Sequence, residues 1–180
     1  MVLVLEVIGV ITAHSEYNNS LFYNLLFVYV ESCMFFYFFY LISESEKMKK
    51  LISILLVSFL LLGIMNSLFF QPLQWEFHNY SYAFASLAII GLAIKFFKDV
   101  LRLDKYEERN LLSIPYFWIV TVILFFYSAT FFYFVPLTLL YEINKSELEF
   151  LNFLIRLLAG LMYTVFGLAF YAPYIFREKY

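Results

Sequence analysis

The chain has 180 residues, of which 64% are hydrophobic, with 24 Phe and 16 Tyr and a mean hydropathy of +0.81. A soluble domain of this length cannot hide that much apolar surface, because its surface-to-volume ratio demands more polar cover. The formal charge of −2 says little as a sum; the placement of the charges says more.

Read in chain order, six apolar segments emerge: Val2–Ala13, Leu21–Ile42, Leu51–Phe70, Tyr82–Val100, Tyr116–Leu140 and Leu148–Tyr171. Each is expected to be helical, since irregular backbone or an open strand edge cannot face lipid. The last five reach or exceed the roughly 20 residues needed to cross a bilayer, and the first is too short. No basic residue precedes Lys47 and no small-residue cleavage site is evident, so a truncated first helix is expected rather than a signal peptide. Gln71-Pro72 should end the third segment, with Trp75 and Tyr80 at interfacial positions in the short loop that follows. Pro115 suits the first turn of the fifth segment, and Pro136 should loosen that segment's far end.

Alternate loops carry 3, 5 and 2 basic residues: Lys47, Lys49 and Lys50; then Lys95, Lys98, Arg102, Lys105 and Arg109; then Arg177 and Lys179. The intervening loops hold Lys145 alone. By the positive-inside rule the expected fold is an all-α polytopic transmembrane bundle, one domain over residues 1–180, with a cytoplasmic C-terminus in a bacterial inner membrane. The lipid bilayer is its expected partner, and no nucleic acid is.

Three ionisable residues lie inside apolar segments, where each costs about 2.5–3.5 kcal/mol on insertion scales: Glu6, Glu31 and Arg156. Measured from the outer boundary they sit at about 12, 16 and 10 Å depth. A long arginine side chain can close such gaps, so pairing of Arg156 with one carboxylate is expected. Asn24 and Glu31 are seven apart on one stripe. Asn152, Arg156, Ala159, Gly160, Tyr163 and Gly167 form another, mixing polar groups with small residues that permit close helix contact. With Glu6–Gly9–Ala13 and Gly63–Asn66, these stripes predict an interior polar cluster of Glu6, Asn24, Glu31, Asn66, Asn152 and Arg156. The commoner role of such groups is to fix helix register; the sharper one is proton or ligand sensing, with Glu31 titrating.

Enzyme readings lack their residues. His14 and His78 are both expected at the outer surface, ordinarily solvated, and Asp99 and Asp104 lie in a cytoplasmic loop. No His/Asp metal cluster, paired haem histidines or last-helix lysine for a retinal can be assembled. No cofactor or metal is expected, although His14 and His78 with Glu16 and Glu76 could meet at the outer rim. The single Cys33 reads as a small buried residue, and the sequon Asn18-Asn19-Ser20 is assigned no role. Residues 95–109 read as a mixed-charge helical extension of the fourth segment. Its Lys98, Arg102, Lys105 and Arg109 either anchor it at headgroups or dock a cytoplasmic protein.

The run Val4-Leu5-Glu6-Val7-Ile8, the stretch from Tyr23 to Glu31, Asn66 ending a helix, Ser81, Pro115-Tyr116-Phe117-Trp118, Tyr127-Ser128 and a polar-studded last helix follow one order. In this the chain resembles an uncharacterised bacterial family of seven-helix integral membrane proteins often encoded near sensor kinases. The resemblance implies a copy shortened at its N-terminus and brings no reaction or ligand. The expected function is a non-enzymatic, sensory or signalling-associated membrane domain. The alternative is a small transporter or channel component using Glu6, Glu31 and Arg156.

Overall fold

The computed structural model describes residues 18–102, 110–137 and 145–176. It is all-helical: α1 (Ser20–Ile42), α2 (Glu46–Phe69), α3 (Asn79–Arg102), α4 (Pro115–Leu137), α5 (Lys145–Ala169) and the short α6 (Ala172–Ile175). A single 3-10 turn, Leu111–Ser113, precedes α4, and no strand occurs among the described residues. The first apolar segment, with Glu6 and His14, lies outside them, as do Lys105 and Arg109 and the side chains of Arg102 and Asn152.

Three of these helices are long and apolar enough to cross a membrane: α1, α2 and the Pro115–Phe134 part of α4. Their exposure is inverted relative to a soluble protein. The most apolar, α2, has only 22% of its apolar span buried. Leu61, Ile64, Leu68 and Phe69 are among its exposed side chains. Water would penalise such a surface by roughly 25 cal/mol per Å², whereas lipid does not. The apolar part of α5, Phe153–Ala169, is shorter than these spans.

Local signals explain the boundaries. Ser45 is extended and Glu46 opens α2, paired with Lys49 at 2.8 Å one turn on. At the other end the amides of Phe70 and Gln71 both return to the Asn66 carbonyl, and Pro72 forbids continuation. Proline at the first position of α4 sacrifices no helical hydrogen bond, and the preceding turn is fixed by Asn110, which accepts from the Leu112 amide at 3.0 Å.

The chain divides into two compact units, Met1–Ala88 and Ile89–Tyr180. In the first, α1 packs on α2 through aromatic rings: Phe59 lies 5.5 Å from Tyr29 and 5.9 Å from Phe36, over buried Val28, Phe35, Phe39 and Ile52. Phe27 stacks on Tyr82 at 5.3 Å, tying α1 to the start of α3. The aromatic run from Phe35 to Tyr40 thus splits between the core and the outside, where Tyr37 and Tyr40 are exposed. Cys33 is half-buried rather than buried.

In the second unit α4 packs along α5. Val120, Ile123, Phe126, Tyr127 and Met162 are buried there, while Phe125 and Phe132 point outward. Trp118 stacks on Phe176 at 5.9 Å and donates to the Leu112 carbonyl at 2.8 Å, joining α4 to the chain on either side.

Candidate functional site: a buried polar network

The first turns of α1 depart from α-helical bonding. Tyr23–Glu31 is π-helical, with nine residues in i→i+5 register, and it carries buried Asn24 and Glu31 together with Tyr29. π-helical stretches are rare and recur at functional sites, because the inserted register re-aims side chains. Here they aim at the loop that joins α2 to α3.

Asn24 holds that loop. Its Nδ2 donates to the carbonyls of Leu73 (2.9 Å) and Glu76 (2.7 Å), and its Oδ1 accepts from the His78 amide (2.9 Å). Two carbonyls on one side and an N–H on the other fix the amide's orientation. Asn24 is fully buried, and it satisfies three loop groups that lipid or core would otherwise strand.

Tyr29 continues the network. Its hydroxyl meets His78 Nδ1 at 2.6 Å, Ser81 Oγ at 3.2 Å and the Gly63 carbonyl at 3.4 Å. The ring crosses α2 at Gly63, where an added Cβ would come within 2.5 Å of Tyr29 Cε1. Glycine is required here by the close approach. From α2, Asn66 Nδ2 donates to Ser81 Oγ and to Gln71 Oε1, both at 3.1 Å, and Gln71 Oε1 also receives the Tyr80 amide at 3.4 Å.

His78 is wholly buried. Its Nε2 has no complete hydrogen bond, but the Gln71 carbonyl and the Glu76 carboxylate both favour the protonated ring. Burial outweighs them and holds the imidazole below its ordinary value near 6.5, so His78 is neutral at pH 7. With the ring proton on Nε2, Nδ1 accepts from Tyr29. Protonation would turn Nδ1 into a donor and send the phenolic proton toward Ser81 or Gly63.

Of the expected cluster, Asn24, Glu31 and Asn66 are buried in the first unit, at 0, 2 and 4% exposure. Asn24 and Asn66 join the network, and Glu31 lies at the far end of the π-helical stretch. Glu6 and the Asn152 side chain fall outside the described residues. Arg156 differs from expectation: it is exposed, as are Gly160 and Gly167 of the same stripe, and an added Cβ at either glycine meets nothing within 4 Å. Small residues permit close helix contact but do not compel it, and α5 buries Met162 and Ala169 instead.

His78 also corrects the sequence reading, which placed it in solvent. Asn24 draws the loop inward across 54 positions of sequence, a contact no local pattern announces. Tyr29, Gln71 and Ser81 were missed for the same reason, although Gln71 beside the helix-stopping proline was a signal. On α3, Lys98 is exposed as a docking surface requires, while Lys95 pairs with Asp99. Among the described residues no three His, Cys, Asp or Glu side chains converge to hold a metal ion. No family model, curated protein or solved structure matches the chain.

Proposed function

We propose that this chain is a multi-pass protein of the bacterial inner membrane, and that it is a non-enzymatic sensory domain that signals through a cytoplasmic protein. The buried network of Asn24, Tyr29, His78, Ser81 and Asn66 is its sensing element. The observation that carries this reading is where the hydrogen-bonded network lies. It gathers around one interhelical loop, and next to it α1 and α2 are closed by Val28, Phe36 and Phe59 at 0% exposure. Glu31, at 2% exposure, is equally sealed. A transport pathway needs polar groups in reach of water along the span, whereas a sensor needs a site at one end and rigid packing to carry its state. The positive-inside bias of the basic loops supports an outer side for that site and a cytoplasmic side for Lys98.

Proteoliposome flux and crosslinking together test this. The reconstituted protein should pass no cations or protons above empty vesicles. Crosslinking from Lys98 in the native membrane should capture a cytoplasmic protein, and Tyr29→Phe should change that yield. Flux that vanishes in Glu31→Ala would overturn the reading in favour of transport.

A further inference from the structure

The hydrogens of the buried network have a definite order. With Nδ1 of neutral His78 accepting, the single hydrogen of the Tyr29 hydroxyl is spent on it at 2.6 Å. The 3.2 Å contact between Tyr29 and Ser81 is then donated by Ser81. Ser81 Oγ in turn receives Asn66 Nδ2 at 3.1 Å. The Tyr80 backbone N–H fixes that amide: it can only donate, so the Gln71 atom it meets is Oε1, and the Asn66 atom facing Oε1 is Nδ2. Donation therefore runs one way, from Asn66 to Ser81 to Tyr29 to His78, and ends on the imidazole.

The imidazole belongs to a loop strapped onto α1. Beside the three bonds of Asn24, Asn18 Nδ2 and Ser20 Oγ reach the Trp75 carbonyl at 3.2 and 3.5 Å. Within residues 70–78 only Gln71 and His78 are buried, while Trp75 and Glu76 are exposed. A proton therefore reaches the ring when the strap lifts. The titratable groups set against the ring are Tyr29 from α1 and Glu76 from the loop itself. Through the network α2 presents the Gly63 carbonyl and Asn66, and α3 presents Ser81, all neutral. A cationic ring under the closed strap would have the exposed Glu76 as its counter-charge among the described residues. The Tyr29 hydrogen, turned away from Nδ1 and met by that of Ser81, would be left with the Gly63 carbonyl at 3.4 Å. Once lifted, the charged ring is hydrated and that cost is removed.

We propose that the α2–α3 loop is an acid-released strap: a proton taken up by His78 reverses the last bond of the donor chain and frees residues 73–78 from α1. This rests on the sensory reading, to which it gives a stimulus, the proton. Burial sets the sense of the switch. It already holds the ring below its ordinary value near 6.5, so the strap is closed at neutral pH and opens below that value. The proton selects the lifted state by binding it better than the closed one. Release of His78 also frees the Tyr29 hydrogen, and the change passes through Ser81 and Asn66 to α3 and α2.

Hydrogen exchange of the full chain in nanodiscs, read by mass spectrometry at pH values from 7.5 to 5.5, tests this. Peptides covering residues 70–78 report the strap and peptides covering 117–130 serve as control, each corrected for the intrinsic exchange rate at that pH. Protection of the strap should fall several-fold, at most about tenfold for each pH unit below 6.5 as one proton allows, while the control stays constant. Glu76→Gln, at an exposed side chain, removes the counter-charge and should move the transition to lower pH. His78→Gln should leave protection of the strap independent of pH. A wild-type strap equally protected throughout would overturn the proposal, as would a transition that survives His78→Gln or vanishes in Glu76→Gln. The sensory reading fails separately, if acid opens the strap while the yield of the Lys98 crosslink stays the same.

Discussion

The two units of the chain solve the same problem in opposite ways. Tyrosines aside, the buried polar side chains of the first are Asn24, Glu31, Ser32, Asn66, Gln71, His78, Ser81 and Ser86; among the described residues the second buries only Thr130. In the second unit hydroxyls are returned to their own helix, as Thr121 to the Phe117 carbonyl (2.6 Å), Thr130 to Phe126 (2.8 Å) and Thr164 to Gly160 (2.7 Å). Such local bonds satisfy the donor within its own helix. In the first unit the bonds run between elements, from Asn24 to the loop and from Tyr29 and Asn66 to α3. Cross-element bonds specify one arrangement and make each partner depend on the others. The second unit is built as packing and the first as a site.

The contrast should be starkest when one buried hydrogen-bonding side chain is removed from each unit. Asn24→Leu strands two carbonyls and one amide and should destabilise the protein by about 3 kcal/mol or more, whereas Thr130→Val should cost under about 1 kcal/mol. Thermal unfolding in one mild detergent, read by circular dichroism, checks both. Equal losses would erase the distinction.

Glycines sharpen the same comparison. Gly63→Ala drives a methyl into the Tyr29 ring and should cost about 1–3 kcal/mol, with recovery in the double variant Gly63→Ala, Tyr29→Leu. Gly160→Ala and Gly167→Ala face open space and should gain up to about 1 kcal/mol each from helix propensity. Penalties at all three positions would mean that the stripe on α5 is packed after all.

A smaller effect concerns pH. The folded state holds His78 below its ordinary value, so between that lowered value and about 6.5 the unfolded chain binds the extra proton. The contribution of His78 is therefore complete above pH 6.5 and is lost as pH falls through this window. The groups set against the ring are Tyr29, the Gln71 carbonyl and Glu76, and burial prevails over them. Unfolding midpoints measured from pH 8 to pH 5 should fall in the wild type and slope less in His78→Gln.

Much of the helical framework was legible in the sequence, because apolar runs, Pro72, Pro115 and the charged loops act locally. The expected second segment, Leu21–Ile42, differs from α1 by one residue. Asn24, Glu31 and Asn66, expected to face the interior, are buried, although seven residues of π-helix do not return Asn24 and Glu31 to one face. The rest was not legible, for identifiable reasons. A π-helical register leaves no mark in composition, and Asn24, Tyr29 and Glu31 all lie within it. His78 sits in a loop whose polarity suggests solvent, yet Asn24 pulls it inward from a distant part of the chain. The stripe through Arg156 had the right spacing for an interior face, but spacing does not say which neighbour arrives, and Arg156 is exposed.

The central claim is that the α2–α3 loop folds inward and delivers a neutral imidazole to Tyr29. Nitrogen-15 NMR of histidine-labelled protein in nanodiscs, with His78 assigned by its loss in His78→Gln, addresses this directly. The account predicts a ring that is neutral at pH 7 and takes up its proton only below its ordinary value near 6.5, carrying hydrogen on Nε2 and with Nδ1 accepting a hydrogen bond that disappears in Tyr29→Phe. A resonance titrating near pH 6.5 and indifferent to Tyr29→Phe would place the imidazole in water and contradict it.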